Sequence, residues 1–578
     1  MKVLISFMKK CTGYYVVAFI VMLAGIALDM FNPKMMQRLI DEVIIARNTA
    51  PFKGILIALV GITLGRAVFG YTKEILFDLS STKIIIQLRK KLFDHIQTLS
   101  FSFFDKNNTG ELMSRVKDDA ENVMNAICYG AMLFIEQALY FVIASVVLFT
   151  LNWKLAILSL CILPIIAFVA VQLRKQVGKT YEEISDQRAA MNTTAQENLA
   201  GVRLVKAFGR ENHEIEKFLK MNKENYRLNV NQAKVWSRHQ PRIEFLSNFI
   251  VVMITSVGGY LVIGKELSIG TLVAYVNYIY MLIWPMRMIG WLINILSQCM
   301  ASLKKIDVLF DEVPDVKNPE SPVEPAKREG HVVFDHVSLV ANGMTILDDV
   351  CLDAKPGSTV AIMGATGAGK SSLINLIGRY YDCTSGRILM DGVDVRDQEL
   401  EPLRKNVSVV MQDVFLFSDT IEENIRFGSP EIPMESLVSA SKDAHVHEFV
   451  MKLSDGYKTV VGERGIGLSG GQKQRISMAR ALARDSRVLV FDDATSALDM
   501  ETEHQIQQAL DTRAGVTKFI IAHRVSAVKN ADEIIILDHG AVIERGSHQE
   551  LLEQRGYYYD TYVLQFQGLL DIHEEEVS

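Results

Sequence analysis

Cysteine is scarce in this chain of 578 residues. There are six, Cys11, Cys128, Cys161, Cys299, Cys351 and Cys383, with no close pair and no metal-ligand spacing. That excludes a disulfide framework, and no zinc site is expected. Cys351 and Cys383 are expected as core or surface thiols in a reducing compartment. An excess of one charge is also missing. Sixty-one Lys and Arg stand against 67 Asp and Glu, a net charge of −6, which gives no electrostatic case for nucleic acid. Proline is sparse, 13 in all, and four of these (Pro314, Pro319, Pro322, Pro325) fall within 311–330 among charged residues. Such a stretch reads as a domain connector. The length itself predicts at least two domains.

Charge is absent in long runs before residue 304. Cys11 to Leu28 is 18 residues without a charge, Leu155 to Leu173 is 19, and Phe245 to Gly264 and Leu267 to Met286 are 20 each. At 1.5 Å per residue these approach or match a hydrocarbon core of about 30 Å. Phe52 to Tyr71 contains Lys53 and Arg66, and Gly130 to Phe149 contains Glu136. Six spans are therefore predicted. The first is not read as a secretory signal: it lacks a small-residue cleavage site and runs into Asp29, Asn32 and Pro33. Lys9 and Lys10 ahead of it favour a cytoplasmic N-terminus. Six spans then put the C-terminal half on the same side. Phe149 to Asn152 reads as a tight external turn. The charged stretches 74–127 and 175–243 read as helices extending well beyond the lipid.

Arg66, Glu136 and Arg287 are charges in or beside spans, where they are costly against lipid and commonly face a cavity. Snorkelling or a polar helix contact would explain them equally at this stage. Phe134, Tyr140, Tyr275, Tyr278, Tyr280 and Trp284 are candidates for an apolar pathway, although periodicity alone does not separate that role from packing.

After the connector the pattern becomes that of an α/β unit. Strand-like Ser358 to Met363 leads into Gly364, Ala365, Thr366, Gly367, Ala368, Gly369, Lys370, Ser371 and Ser372, a full Walker A pattern in the required context. Its glycines let the backbone wrap phosphate. Lys370 is expected to neutralise β- and γ-phosphates, and Ser371 to bind Mg²⁺. The start of the following helix adds outward N–H groups. Val488 to Phe491 carries Asp492 to a strand end, where it is expected to organise Mg²⁺, with Asp493 next in the place of a base. Gln412, after Val409 to Met411, is expected to reach metal and water. His523, after Phe519 to Ala522, is expected to contact the γ-phosphate. Leu468, Ser469, Gly470, Gly471 and Gln472 open another helical run and can present donors to phosphate.

With these motifs, nearly the whole chain resembles a half-transporter of the type IV ABC exporter family, which includes bacterial multidrug and lipid exporters. The resemblance rests on Walker A 364–371, Gln412, the signature 468–472, Walker B 488–492, Ser496 to Asp499 as the D-loop, and His523. Thr459 to Gly465 resembles the exporter X-loop. Phe103 to Asp105 with Thr109 to Leu112, and Glu197 to Phe208, resemble two coupling regions. The resemblance implies a six-helix transmembrane domain (1–310, with long cytoplasmic extensions), a linker (311–330), an α/β P-loop ATP-binding domain (331–570) and an acidic tail (571–578). It also implies a domain-swapped dimer, ATP and Mg²⁺, a multi-pass location in a bacterial cell (inner) membrane, and an amphipathic drug, lipid or peptide as cargo. In this family each ATP lies between Walker A of one motor and the signature of the other.

The sequence departs from that pattern twice. The family's catalytic Glu is Asp493 here, one methylene shorter. The aromatic that stacks on adenine is replaced by Ala341, leaving Phe334 or His336 as the nearest substitutes. Both changes fall on the half-site the chain keeps, while the half it offers across the dimer is intact. The expectation is a heterodimer with a slow or degenerate site here and a partner subunit that carries the Glu. A homodimer using Asp493, and an ATP-gated channel or regulatory subunit, are the alternatives.

Overall fold

The computed structural model describes residues 2–341, 343–462, 465 and 467–575. Two compact units emerge: residues 1–98 with 107–313, and residues 99–106 with 314–578. The short segment Leu99–Lys106 thus belongs with the C-terminal unit.

Six helical segments in the first unit are long and apolar enough to cross a membrane: Thr12–Ile45, Phe52–Thr98, Thr109–Leu151, Trp153–Ala200, Glu211–Ile263 and Ile269–Asp311. The last five contain 43 to 53 residues, or about 65–80 Å of helix, twice the hydrocarbon thickness. The charge-free runs are only parts of these helices. Beyond them the chain stays helical, with mixed charge on its surface. Local chemistry sets the breaks. Asn152 ends one helix and caps the next, its side chain accepting from Leu155 N at 3.1 Å. Ser268 caps the sixth helix through Thr271 N at 3.0 Å and donates to Asp41 in the first segment. Buried Ile250, Ile254, Ile166, Tyr275, Tyr278 and Ile279 form the unit's apolar centre. Tyr275 and Tyr278 are therefore core residues and do not line a pathway.

The C-terminal unit carries two sheets. An antiparallel sheet contains β1 (Val332–Ala341), β2 (Met344–Ala354), β4 (Ser385–Met390) and β5 (Val393–Asp394), in the order β2-β1-β4-β5. The second has the order β10-β9-β3-β8-β7-β6, with β3 (Thr359–Gly364), β6 (Val407–Val410), β7 (Val488–Asp492), β8 (Thr517–Ile521), β9 (Glu533–Asp538) and β10 (Ala541–Gly546). It is parallel from β9 through β6, with β10 antiparallel at the edge. The strands β3, β7 and β8 are runs of Val, Ile, Leu and Phe, the composition expected where both faces are covered. Phe334, Leu347, Ile362, Leu373, Ile388 and Phe519 join the two sheets in one core. A parallel sheet directs its ligand sites to the carboxyl ends of its strands. Gly364, Asp492 and Ile521 lie at those ends, with Asp492 paired in register to Ile521.

Candidate functional site

The loop after β3 is shaped by three glycines with positive φ, of which Gly364 and Gly369 are held by close approach. A Cβ at Gly364 would run into the Leu537 carbonyl, and one at Gly369 would lie 2.7 Å from Ile346 O. Gly367 has open space, so the loop can pass close around a ligand there. The helix Lys370–Ile377 starts immediately after Gly369. Its first side chain, Lys370, turns back over the loop and donates from Nζ to Gly364 O (2.9 Å) and Ala365 O (2.8 Å). Burial lowers the Lys370 pKa, opposed by the carboxylates of Asp492 and Asp493.

Ser371 Oγ lies 3.2 Å from Asp492 Oδ1. Burial raises the Asp492 pKa, and Asp493 adds to that. The Ser371 hydrogen bond, Lys370 and His523 oppose it. The structure thus brings Lys370, Ser371, Asp492, Asp493 and His523 within electrostatic range. A hydroxyl beside a half-buried carboxylate suits a hard cation, and an ammonium over a glycine loop suits phosphate, so the residues present fit Mg²⁺ and a nucleotide. Ser371 and Asp492 would hold the ion. Gln412 is exposed just past β6, one strand over from Asp492, and its side chain makes no hydrogen bond among the described residues.

Asp493 follows β7 with φ of 46°. Its N–H donates to Ile521 O at 3.1 Å, and its carbonyl accepts from Ser496 N and Oγ at 3.3 and 2.9 Å. His523 follows β8, its ring exposed and its carbonyl accepting from Gln565 Nε2 at 2.8 Å.

The signature lies at a separate helix start. Ser469 caps the helix Gly470–Leu482 in a two-way box: Gln472 N donates to Ser469 Oγ (3.3 Å), and Ser469 N donates to Gln472 Oε1 (2.9 Å). Ser469 and Gly470 are exposed, and Leu468 is half-buried. Gln474 joins this helix to the D-loop, donating to Ser496 Oγ (3.3 Å) and accepting from Ala497 N (3.1 Å). Asp499 caps the next helix through Thr502 N at 2.9 Å. Of the X-loop, Glu463 and Arg464 lie outside the described residues.

One of the two expected adenine substitutes needs correction. Phe334 is 1% exposed, packed between the sheets, and offers no face to a ligand. His336 lies on a bulge with φ of 51°, its Nδ1 2.7 Å from Asp349 Oδ1. Half-buried Cys351 joins these two exposed residues in a group of three donors.

A second constellation lies in the membrane unit. Arg66 Nε meets Asp29 Oδ1 at 2.8 Å, and Tyr140 OH donates to Asp29 Oδ2. Lys73 Nζ meets both Glu136 oxygens at 2.9 and 3.0 Å. These five residues line one cavity, which adjoins a second of about 390 Å³ bounded by Asn277, Tyr280 and Trp284. Arg287, in contrast, has a buried Nε without a partner among the described residues. Asp29 and Lys73 were not singled out from the sequence because they end or follow apolar runs. The signal was there: Arg66 and Lys73 are two helical turns apart, and Glu136 and Tyr140 one turn.

Comparison with known proteins follows the same division. Residues 15–286 match the family model for the ABC transporter transmembrane region, and residues 347–496 match the ABC transporter model. The Bacillus subtilis (strain 168) protein named "Uncharacterized ABC transporter ATP-binding protein YknU" is 37% identical, covering 96% of this chain and 95% of its own. An ATP-dependent lipid A-core flippase of Syntrophus aciditrophicus (strain SB) is 33% identical, covering 96% and 92%. The solved structure of a bacterial Atm1-family ABC exporter with ATP bound superposes with a TM-score of 0.83 at 27% identity, covering 96% of this chain and 99% of that one. Similarity that spans both halves and 96% of its length makes this chain a member of the ABC transporter family, a multi-pass, ATP-hydrolysing exporter half-transporter.

Proposed function

We propose that this chain is one subunit of a heterodimeric exporter for amphipathic compounds, with a slow ATP site of its own and an intact signature lent to its partner. The observation that carries this reading is the contrast between Asp493 and the 468–472 segment. Asp493 is short, and its backbone is anchored on both sides. The signature is exposed, capped and tied to the D-loop. Exposed Leu199, Leu204 and Phe208 in the second coupling-like region support a dimeric assembly.

In this mechanism Lys370 leaves the Gly364 and Ala365 carbonyls for nucleotide phosphates. Ser371 and Asp492, with Gln412 beside them, would hold Mg²⁺, which would neutralise phosphate charge. The Walker A amides of 364–372 would cradle phosphate, the partner's signature would close this site, and residues 468–472 of this chain would close the partner's. Asp493 accepts a hydrogen bond from the attacking water, and His523 contacts the γ-phosphate. The Asp29–Arg66 and Lys73–Glu136 pairs mark a polar patch of the transport cavity, with Tyr280 and Trp284 offering apolar surface. The lipid A-core specificity of one relative and the cavity's mixed lining both support a lipid-like or drug-like amphiphile, moved from the cytoplasm or inner leaflet. Termini face the cytoplasm; residues 1–310 form the transport unit, 311–330 the linker and 331–570 the motor.

Co-purification from native membranes, followed by ATPase and vesicle flux assays, tests the proposal. A second half-transporter with a catalytic Glu is expected. An active dimer containing only this chain refutes it and favours the homodimer, a reading supported by Asp493 and His523 both lying within electrostatic range of Asp492. Hydrolysis without flux favours the channel or regulator.

A further inference from the structure

The loop carrying His523 is held from a direction no nucleotide motif accounts for. The C-terminal helix Tyr557–Glu575 lays Tyr558, Tyr562 and Phe566, one per turn, on a cluster containing Ala522, Val525 and Val528. The same docking places Gln565 against the loop. Its side-chain amide grips both sides of one peptide turn: Nε2 donates to His523 O at 2.8 Å, and Oε1 accepts from Val525 N at 2.9 Å. Arg524 between them reaches the other way, its Nη1 3.5 Å from Oε2 of Glu503. Glu503 is 3% exposed and accepts through Oε1 from Thr495 Oγ1 at 2.8 Å. Thr495 is two residues beyond Asp493.

We propose that Gln565 is a positioning residue for ATP hydrolysis, bracing residues 523–525 from the C-terminal helix so that the His523 ring is free while its backbone is fixed. This rests on the assignment of His523 to the γ-phosphate. Two features favour a dedicated brace over ordinary packing. Both ends of one amide are used on flanking residues, matching the donor and acceptor a loop backbone offers. The His523 ring makes no hydrogen bond among the described residues, so its direction depends on the backbone. The brace and the Glu503 bridge together join the C-terminal helix, the switch loop and the segment after Asp493 in one network. Release of the brace shifts the ring by a fraction of its reach, and displacement of about 1 Å costs on the order of a hundredfold in rate.

The test uses the full-length exporter in lipid nanodiscs, with its partner subunit where one co-purifies and that subunit's own ATP site disabled, so that turnover reports the site His523 serves. Gln565→Ala removes both bonds. Gln565→Glu keeps an acceptor for Val525 N and places a carboxylate oxygen against the His523 carbonyl. Both are expected to lower kcat about ten- to a hundredfold, with ATP affinity within about threefold of wild type and faster amide exchange at 523–525. The double variant Q565A/H523A is expected to lose no more than H523A alone, because the two act as one unit. A purely structural role predicts a lower Tm and less folded protein, with kcat per bound nucleotide unchanged; that result overturns the proposal. If H523A is inactive and Q565A matches wild type, the brace alone fails. If H523A retains wild-type kcat, the His523 assignment fails, and with it the proposal.

Discussion

Asp493→Glu tests the division of labour most directly. One methylene adds about 1.5 Å of reach, from a backbone that cannot advance to compensate. The Asp493 amide is bonded to Ile521 O at 3.1 Å on one side, and its carbonyl to Ser496 on the other. If the carboxylate falls short of the attacking water by even about 1 Å, roughly a hundredfold in rate is missing, or about 2.7 kcal/mol of activation free energy. D493E should therefore raise hydrolysis at the chain's own site by about a hundredfold. Its cost is conformational. At φ of 46° Asp is better tolerated than Glu, and the penalty of up to about 1 kcal/mol lowers the Tm of a domain this size by about 2–4 °C. The assay is ATP hydrolysis by the exporter purified with its partner subunit, that subunit's own ATP site disabled, with Asp493→Asn giving the floor. If D493E is no faster than wild type while D493N loses most activity, Asp493 already reaches the water and the slow-site reasoning is wrong.

Three other outcomes follow from the geometry. A Cβ at Gly470 would meet Ala497 Cβ at 3.7 Å, an ordinary contact, so Gly470→Ala should keep its Tm while dimer ATPase falls at least about tenfold; unchanged ATPase would remove the signature from the composite site. Burial raises the Asp492 pKa, so protons compete with Mg²⁺ at higher pH than for a free carboxyl, and Mg²⁺-dependent nucleotide binding should weaken as pH falls through a window above the ordinary Asp value of about 3.9. The linked stability has the opposite sign. A carboxyl with a raised folded pKa costs stability where it is ionised, so the nucleotide-free protein should gain Tm relative to Asp492→Asn as pH falls through that window; a flat difference would rule this out. Glu136→Gln leaves Lys73, 12% exposed, with only the longer pair to Glu74 at 3.7 Å among the described residues, and should cost up to about 3 kcal/mol, read as a lower Tm in detergent that Lys73→Met restores; an unshifted Tm would show that the pair is solvated.

Much of this was legible without coordinates, for definable reasons. A charge-free run of 18 residues has few fates other than a membrane span, so six spans could be counted. Their full lengths were harder, because helix outside lipid is marked only by weak periodicity within mixed charge. Walker A, Asp492 and the signature were legible because phosphate chemistry fixes residue types at short spacing. Phe334 was misread because β1 contains a bulge between Phe334 and Val337, which changes which side chains face the core. Asp29, Lys73 and Gln565 could not be found by spacing alone. Their partners lie 37, 63 and 42 residues away, and each acquires its role only from a neighbouring helix or loop.

The segment Leu99–Lys106 has one more consequence, in time. Phe101 stacks on Tyr380 with ring centroids 4.6 Å apart, and Tyr381 OH donates to Asp105 at 2.7 Å across 276 residues of sequence. During synthesis at about 5–20 residues per second, this segment leaves the ribosome about 14–55 s before those tyrosines exist. For that interval the Phe101 ring is without its stacking partner, which makes residues 99–106 a place for a chaperone to hold a growing chain and for a quality-control protease to recognise one whose motor never arrived.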